Sequence, residues 1–227
     1  KASFTLTLGL IKKGLLQDIA LPNVGNLVRL DIGISDAFLY QVLQNSPKNI
    51  TFNDLESFVW PKPNPEKSKY ERGRLFIASG SDKYRGAAFL TLKGAMASGV
   101  GSIQAALPKK VADQLWQVIP EVVLCKALST SEDGSSLLES GLKENLLQRI
   151  DALLIGPGLG VGEEKWENTT QHLLEFLGLL VLDADALNRM ASSKEGWQWL
   201  KKRNGPTWIT PHKNEFYKLF PDISFSS

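Results

Sequence analysis

The chain has 227 residues, 43% hydrophobic and 22% charged, which is roughly one and a half typical domains with enough apolar material for a real core. Lys plus Arg number 26 against 24 Asp plus Glu, a near-neutral balance that gives no electrostatic reason to expect a nucleic-acid or membrane-surface partner. A single cysteine, Cys125, and two histidines, His172 and His212, exclude a disulfide framework and a Cys- or His-built zinc site, so no protein-built metal centre is expected.

No apolar run reaches the length of a membrane span, and the lone cysteine fits a reducing compartment, so the default location is the cytoplasm. The opening Lys1-Ala-Ser-Phe-Thr-Leu-Thr-Leu-Gly9 alternates as a strand does and lacks the charged-then-apolar form of a signal peptide. A sequence that opens inside a strand without an initiator Met reads as cut from something longer. Short strands are predicted at 4–8 and 27–32, joined by a loop containing Gly14, Pro22 and Gly25; two strands this short bury little. Two helical stretches follow between Asp36 and Trp60, the second begun by Asn53 with Glu56 three residues on, a capping pattern. Pro61-Lys-Pro-Asn-Pro-Glu-Lys-Ser-Lys69 then reads as an extended linker.

Beyond the linker the pattern becomes strand, loop, helix, repeated. Strands are predicted at 75–78, 102–107, 151–155, 179–182 and 207–210, and helices at 87–99, 111–119, up to Ile150, at 163–176, after Ser192, and from Pro211. Ser136 with Glu139, and Ser192 with Glu195, have the spacing of capping boxes. Thr210 is the expected N-cap of the last helix, with Pro211 in its first turn. Continuous apolar strands alternating with helices specify a parallel sheet covered on both faces, and such sheets bind ligands at the carboxyl ends of their strands.

Four motifs fall at those ends. Gly80-Ser-Asp-Lys-Tyr-Arg-Gly86-Ala87-Ala88 is a glycine loop opening a helix. It suits an anion, with small alanines letting a ligand approach, and it equally suits a tight strand-to-helix turn. Gly156-Pro-Gly158-Leu-Gly160-Val-Gly162 fails the dinucleotide fingerprint, because Val161 and Glu163 stand where the third glycine belongs, and no P-loop occurs in the chain. What remains is an open strand-end loop suited to a flat or phosphorylated ligand. In Asp183-Ala-Asp185, either both acids cap the next helix, or one caps it while the other faces the cleft. Thr210-Pro-His212-Lys213-Asn214-Glu215 places His212 at a helix start above the sheet, whereas His172 falls in mid-helix, half-exposed. No Gly-x-Ser-x-Gly elbow supports a hydrolase triad.

Taken in order, Gly80-Ser81 with Tyr84 and Gly86-Ala87, Gly99-Val-Gly101, Pro120-Glu121, Gly156 to Gly160, Asp183-Ala-Asp-Ala-Leu-Asn188, and Thr210-Pro-His212 with Glu215 resemble the NAD(P)H-hydrate dehydratase family. The resemblance implies a ribokinase-like layered α/β fold, a mostly parallel sheet with helices on both faces, incomplete at the C-terminus. The stretch before it, with Thr5-Leu-Thr-Leu-Gly-Leu10, Lys13-Gly-Leu-Leu16 and Asp31-Ile-Gly-Ile34, looks like the end of the NAD(P)H-hydrate epimerase domain that bacteria often fuse ahead of the dehydratase. The expected organisation is therefore an epimerase-type remnant over 1–36, a helical and proline-rich linker over 37–72, and a dehydratase domain over 73–227.

The activity implied is hydro-lyase chemistry: ADP- or ATP-dependent removal of water from NADHX or NADPHX, with Mg²⁺, by phosphoryl transfer to the hydroxyl and elimination assisted by the ring nitrogen. The implied partners are that small-molecule substrate and an adenine nucleotide, with homo-oligomer formation. By resemblance, Ala87, Gly158, Gly160, His212, Lys213, Asn214 and Glu215 line the hydrate pocket, and Asp183 and Asp185 support the metal–phosphate region or the fold. The family's next segment carries a Gly-x-Gly-Asp turn that supplies the nucleotide's anion hole and a base. That motif does not occur in these 227 residues, so no catalytic residue is assigned and the sequence by itself is expected to hold the hydrate side only. Two other readings use the same features: a ribokinase-like kinase of a small alcohol or vitamin precursor, and a catalytically dead nucleotide-binding module.

Overall fold

The computed structural model describes residues 1–43, 66–139, 141–142, 144–162 and 165–223. The chain divides into two compact units, Lys1–Pro61 and Lys62–Ser227. In the first, β1 (Phe4–Leu8) and β2 (Asn26–Leu30) pair in parallel, Phe4 opposite Asn26 and Leu8 opposite Leu30. A two-stranded sheet covers little of itself: Phe4, Leu6 and Leu8 share one face and stay 64%, 61% and 57% exposed. The expected loop between the strands is partly helical, with a 3-10 turn at Lys13–Leu16 and the one-turn helix α1 (Leu21–Val24). Pro22 fits there because the first turn of a helix leaves its N–H groups unused anyway. Helix α2 (Asp36–Val42) begins at Ser35, whose hydroxyl accepts the Phe38 N–H. The helix expected from Asn53 and Glu56, and the linker as far as Pro65, lie outside the described residues.

In the second unit six parallel strands are arranged in the order β5-β4-β3-β6-β7-β8. They are β3 (Arg74–Ala78), β4 (Ser102–Pro108), β5 (Val123–Leu128), β6 (Ala152–Ile155), β7 (Leu179–Leu182) and β8 (Thr207–Ile209). Their connecting helices are α3 (Arg85–Ala97), α4 (Lys109–Val118), α5 (Glu144–Leu147), α6 (Trp166–Leu174) and α7 (Asp185–Ser192), with a 3-10 turn at Gln198–Lys202 and α8 (Lys213–Leu219) after the last strand. Side chains alternate between the two faces, as strand geometry requires. Ile77, Ile103, Ala105 and Leu107 pack with Ala88 and Leu92 of α3 and with Val111 and Leu115 of α4. Phe76, Ala78, Leu153, Ile155, Leu180 and Leu182 pack with Trp166 and Leu173 of α6, Leu187 and Met190 of α7, and Trp199. The strand order reverses between β3 and β6, which places the switch-point crevice of such a sheet there.

One row of side chains crosses this sheet at Ile77, Leu154, Val181 and Trp208. Its cover falls from complete at Ile77 to 65% exposure at Trp208. Among the described residues no helix is long and apolar enough to cross a membrane.

Several local expectations are corrected. Ser136 caps no helix: it is fully buried, and its hydroxyl donates to the Gly80 carbonyl at 2.8 Å. Ser192 closes α7 instead of opening the next helix, its hydroxyl bonding back to Asn188 O, while Glu195 pairs with Lys202 at 2.8 Å. The last helix is capped by His212 and not by Thr210. The helix expected over 163–176 is shorter, Trp166–Leu174, with Lys165 in extended conformation as its N-cap and Glu175 as its C-cap, and His172 there is exposed, not half-buried.

Candidate functional site

Strands β3, β6, β7 and β8 are consecutive neighbours, and each of the four motifs follows one of them. With about 4.8 Å between adjacent strands, the outer two loops lie roughly 14 Å apart. That span suits an extended ligand.

The loops after β3 and β6 are joined directly. Gly80 N–H and the Ser79 hydroxyl both donate to the Pro157 carbonyl, at 2.8 Å each. A Cβ placed on Gly158, whose φ is +69°, would lie 2.5 Å from Ala87 Cβ and 2.9 Å from Tyr84 Cβ. Glycine is therefore required at 158 by the close approach of α3, and Ala87 and Gly158 meet across the crevice. Ala88 differs: it is fully buried, against Gly80, and packs the turn instead of facing a ligand. Backbone donors in the glycine loop are unequal too. Gly160 N–H is taken by Asp185 Oδ2 at 2.8 Å and Leu159 N–H by Gly156 O. Among the described residues Gly158 N–H has no acceptor.

The turn after β7 bends at Ala184, a non-glycine residue with φ +48° and ψ −115°, a backbone state that costs about 1–3 kcal/mol and persists only where its surroundings hold it. The bend sends the two carboxylates in different directions. Asp183 Oδ1 accepts from the Thr210 hydroxyl at 2.8 Å, toward β8, and Asp185 reaches Gly160, toward β6. Neither carboxylate caps α7, so the capping reading is corrected. Each keeps one oxygen without a partner among the described residues.

At β8 the capping box explains the placement of His212. Its Nδ1 accepts from Asn214 N–H at 3.1 Å and from Glu215 N–H at 3.4 Å, while Glu215 Oε2 accepts the His212 N–H at 2.9 Å. Glu215 Oε1 lies 3.2 Å from His212 Nε2. The imidazole is 65% exposed and the carboxylate 7%, so Glu215 orients the ring from beneath. Lys213 and Asn214 stand exposed beside it.

The sequence reading missed the residues that tie these loops together. Arg189, almost fully buried on α7, donates through Nε to Gly160 O at 2.8 Å and through Nη2 to Ser136 O at 2.7 Å. Ser136 N–H donates in turn to Leu159 O. The available signal was the i, i+4 spacing of Asp185 and Arg189, which puts both on one helix face.

Against the loops after β3 and β6, the turn from Thr130 to Ser136 is held by Asp133. Hydrogen bonds from the Ser131 hydroxyl, then the Ser135 hydroxyl and N–H, hold the Asp133 carboxyl down to about 2. Asp82 N–H is anchored to Gly134 O at 2.9 Å in the same turn. The ionised form thus favours the folded turn, and that preference is fully present above the ordinary carboxylate range and is lost as pH falls through about 2. A carboxyl-carbon NMR titration is expected to find Asp133 titrating well below the ordinary carboxylate range. Asp133→Asn is expected to loosen this turn at neutral pH to the extent that acid loosens the unsubstituted one; an ordinary Asp133 titration would refute the assignment.

Comparison with known proteins agrees with this arrangement. The model of a family described as NAD(P)H-hydrate dehydratase matches residues 75–226. A bifunctional NAD(P)H-hydrate repair enzyme Nnr from Gloeobacter violaceus is 37% identical over 229 residues, covering 100% of this chain and 43% of that protein. The protein of the same description from Synechocystis is 36% identical, covering 98% of this chain and 41% of its own length. The chain thus spans less than half the length of these relatives. Among solved structures, an ADP/ATP-dependent NAD(P)H-hydrate dehydratase from Bacillus subtilis, co-crystallized with ATP/Mg²⁺, superposes with a TM-score of 0.52 at 26% identity, over 71% of this chain and 52% of that one. A ribokinase-like superfamily protein from Enterococcus faecalis shares the fold, with a TM-score of 0.50 at 22% identity over 70% of this chain and 51% of its own. The six parallel strands with their connecting helices form a ribokinase-like α/β fold. The chain belongs to the NAD(P)H-hydrate dehydratase family.

Proposed function

We propose that this chain forms the hydrate-holding part of an ADP/ATP-dependent NAD(P)H-hydrate dehydratase, a hydro-lyase that returns NADHX and NADPHX to NADH and NADPH. The observation that carries the reading is the adjacency of the Gly80, Gly156, Asp183 and Thr210 loops on four neighbouring strands, in the family's order. Ala87 gives a wall small enough for a flat ring to approach. Gly158 N–H donates to the ligand, and Gly160 acts as the loop's anchor. His212, oriented by Glu215, marks the far rim with Lys213 and Asn214.

Mg²⁺ bound with the nucleotide neutralises phosphate charge. One or two carboxylates of the chain would suffice to hold it there. The oxygens that Asp183 and Asp185 leave without a partner among the described residues fit that role. We assign no epimerase activity to residues 1–36. On the strength of the family resemblance we propose a homo-oligomer with the hydrate and an adenine nucleotide as its small-molecule partners, and the single cysteine of the sequence supports a reducing compartment, the cytoplasm.

Thermal unfolding with purified NADPHX tests the reading. A saturating ligand at about 100 times its Kd stabilises by about 2.7 kcal/mol, so a clear rise in Tm is expected. His212→Ala also removes a cap worth about 1 kcal/mol, so the quantity to compare is the hydrate-induced shift and not the absolute Tm. That shift is expected to shrink in the variant. No shift from NADPHX in the unsubstituted chain, with or without ADP and Mg²⁺, would sink the proposal; a shift from small alcohols alone would favour a kinase.

A further inference from the structure

We infer that Asp185 and Arg189 act together as positioning residues that clamp the Gly160 peptide and so set the glycine loop for the hydrate; this rests on the hydrate-binding reading above. The two side chains stand one helical turn apart on α7 and take opposite ends of the same residue: Asp185 Oδ2 accepts the Gly160 N–H at 2.8 Å, and Arg189 Nε donates to the Gly160 carbonyl at 2.8 Å. A residue held at both its donor and its acceptor cannot rotate either peptide plane without breaking a charge-assisted bond. Gly160 has φ +78°, a backbone with many accessible states when unrestrained, so the clamp replaces the restraint a side chain would give.

The clamp also reaches further than one loop. Arg189 Nη2 donates to Ser136 O at 2.7 Å and lies 3.4 Å from Leu159 O. Ser136 N–H returns to Leu159 O at 2.8 Å, and the Ser136 hydroxyl fixes Gly80 O at 2.8 Å. One buried guanidinium therefore links α7, the loop after β6, the turn after β5 and the glycine loop after β3. The Ala87–Gly158 contact sits within this frame. Arginine suits the task because its planar fork serves several carbonyls at once, which the single ammonium of lysine cannot do.

The test uses the 227-residue chain with Asp185→Ala and Arg189→Lys, without nucleotide or Mg²⁺, so that any metal role of Asp185 does not enter. Amide hydrogen exchange at Gly160 is read without ligand, and NADPHX affinity by calorimetric titration. Faster Gly160 exchange is expected in both variants. Hydrate binding is expected to weaken about 10- to 100-fold, the loss of one or more bonds to a charged group, while exchange in the β3 and β6 strands stays as in the unsubstituted chain. Unchanged Gly160 exchange overturns the clamp. Faster exchange with unchanged affinity overturns its positioning role. If Arg189→Lys does not fold, Asp185→Ala, whose side chain is only half-buried, decides both points. If the unsubstituted chain binds no hydrate, the functional reading falls and the positioning role with it, whereas Gly160 exchange still judges the clamp alone.

Discussion

Gly156→Ala is expected to cost about 3–5 kcal/mol, the sum of left-handed strain and overpacking at a site with no room to relax. Gly156 has φ +139°, and a Cβ there would collide with the Asp183 carbonyl oxygen and lie 3.1 Å from Ala186 Cβ. The colliding atom is backbone, held because Asp183 O accepts the Ala186 N–H and Asp183 N–H donates to Ile155 O. Relief would have to come from moving β6 against β7. Against a total stability of about 5–15 kcal/mol this is a large loss. Urea unfolding is the measurement, with a lower midpoint and an unchanged slope expected. Gly94→Ala is the counterpart: Gly94 lies inside α3 with nothing within 4 Å of an added Cβ, so alanine is expected to stabilise by about 0.5–1 kcal/mol. A loss below about 1 kcal/mol at Gly156 would contradict the packing described at the crevice.

Phe76→Ala is expected to cost about 3–5 kcal/mol through lost burial and the cavity left behind. Phe76 is fully buried at the centre of β3, flanked in register by Gln104 and Leu153. Strands on both sides hold the backbone in place, so collapse into the cavity is restricted. The same truncation at Phe4, 64% exposed on β1, is expected to stay within about 0.5 kcal/mol. Similar midpoints for the two variants would refute the assignment of the core.

Five of the six strands of the larger sheet were legible in the sequence because they are short apolar runs between turn signals; the edge strand β5, whose apolar run is broken by Lys126, was not. Leu75 to Ala78, Leu179 to Leu182 and Thr207 to Ile209 were found within a residue of their observed bounds. Helix starts were less legible. Ser136 and Ser192 carry the residues of a capping box, yet Ser136 is consumed by a distant carbonyl and Ser192 by the turn before it; local spacing cannot reveal a partner 56 positions away. His212 shows the reverse case. Thr210-Pro211 is the better N-cap by residue type, but Thr210 is drawn to Asp183 across the sheet, and His212 with Glu215 forms the box two residues later. The motifs of the site were visible as glycines, acids and a histidine at strand ends. The inequality between Gly158 and Gly160 was not, because it depends on which N–H the fold has already spent.

The reversal of strand order between β3 and β6 has a consequence for how the protein acquires its binding capacity. Within each half of the sheet neighbouring strands are close in sequence: Arg74 pairs with Ser102, 28 positions on, and Ala152 with Leu179, 27 positions on. Across the reversal Arg74 meets Asp151, 77 positions away. Closing that longer loop carries the larger entropy cost, and pairings of this kind form slowly. The crevice between Ala87 and Gly158 lies on this seam, so neither half contains it. During refolding, helices and local strand pairs are expected to recover first and the proposed hydrate binding last, so that the ligand would report on completion of the whole sheet.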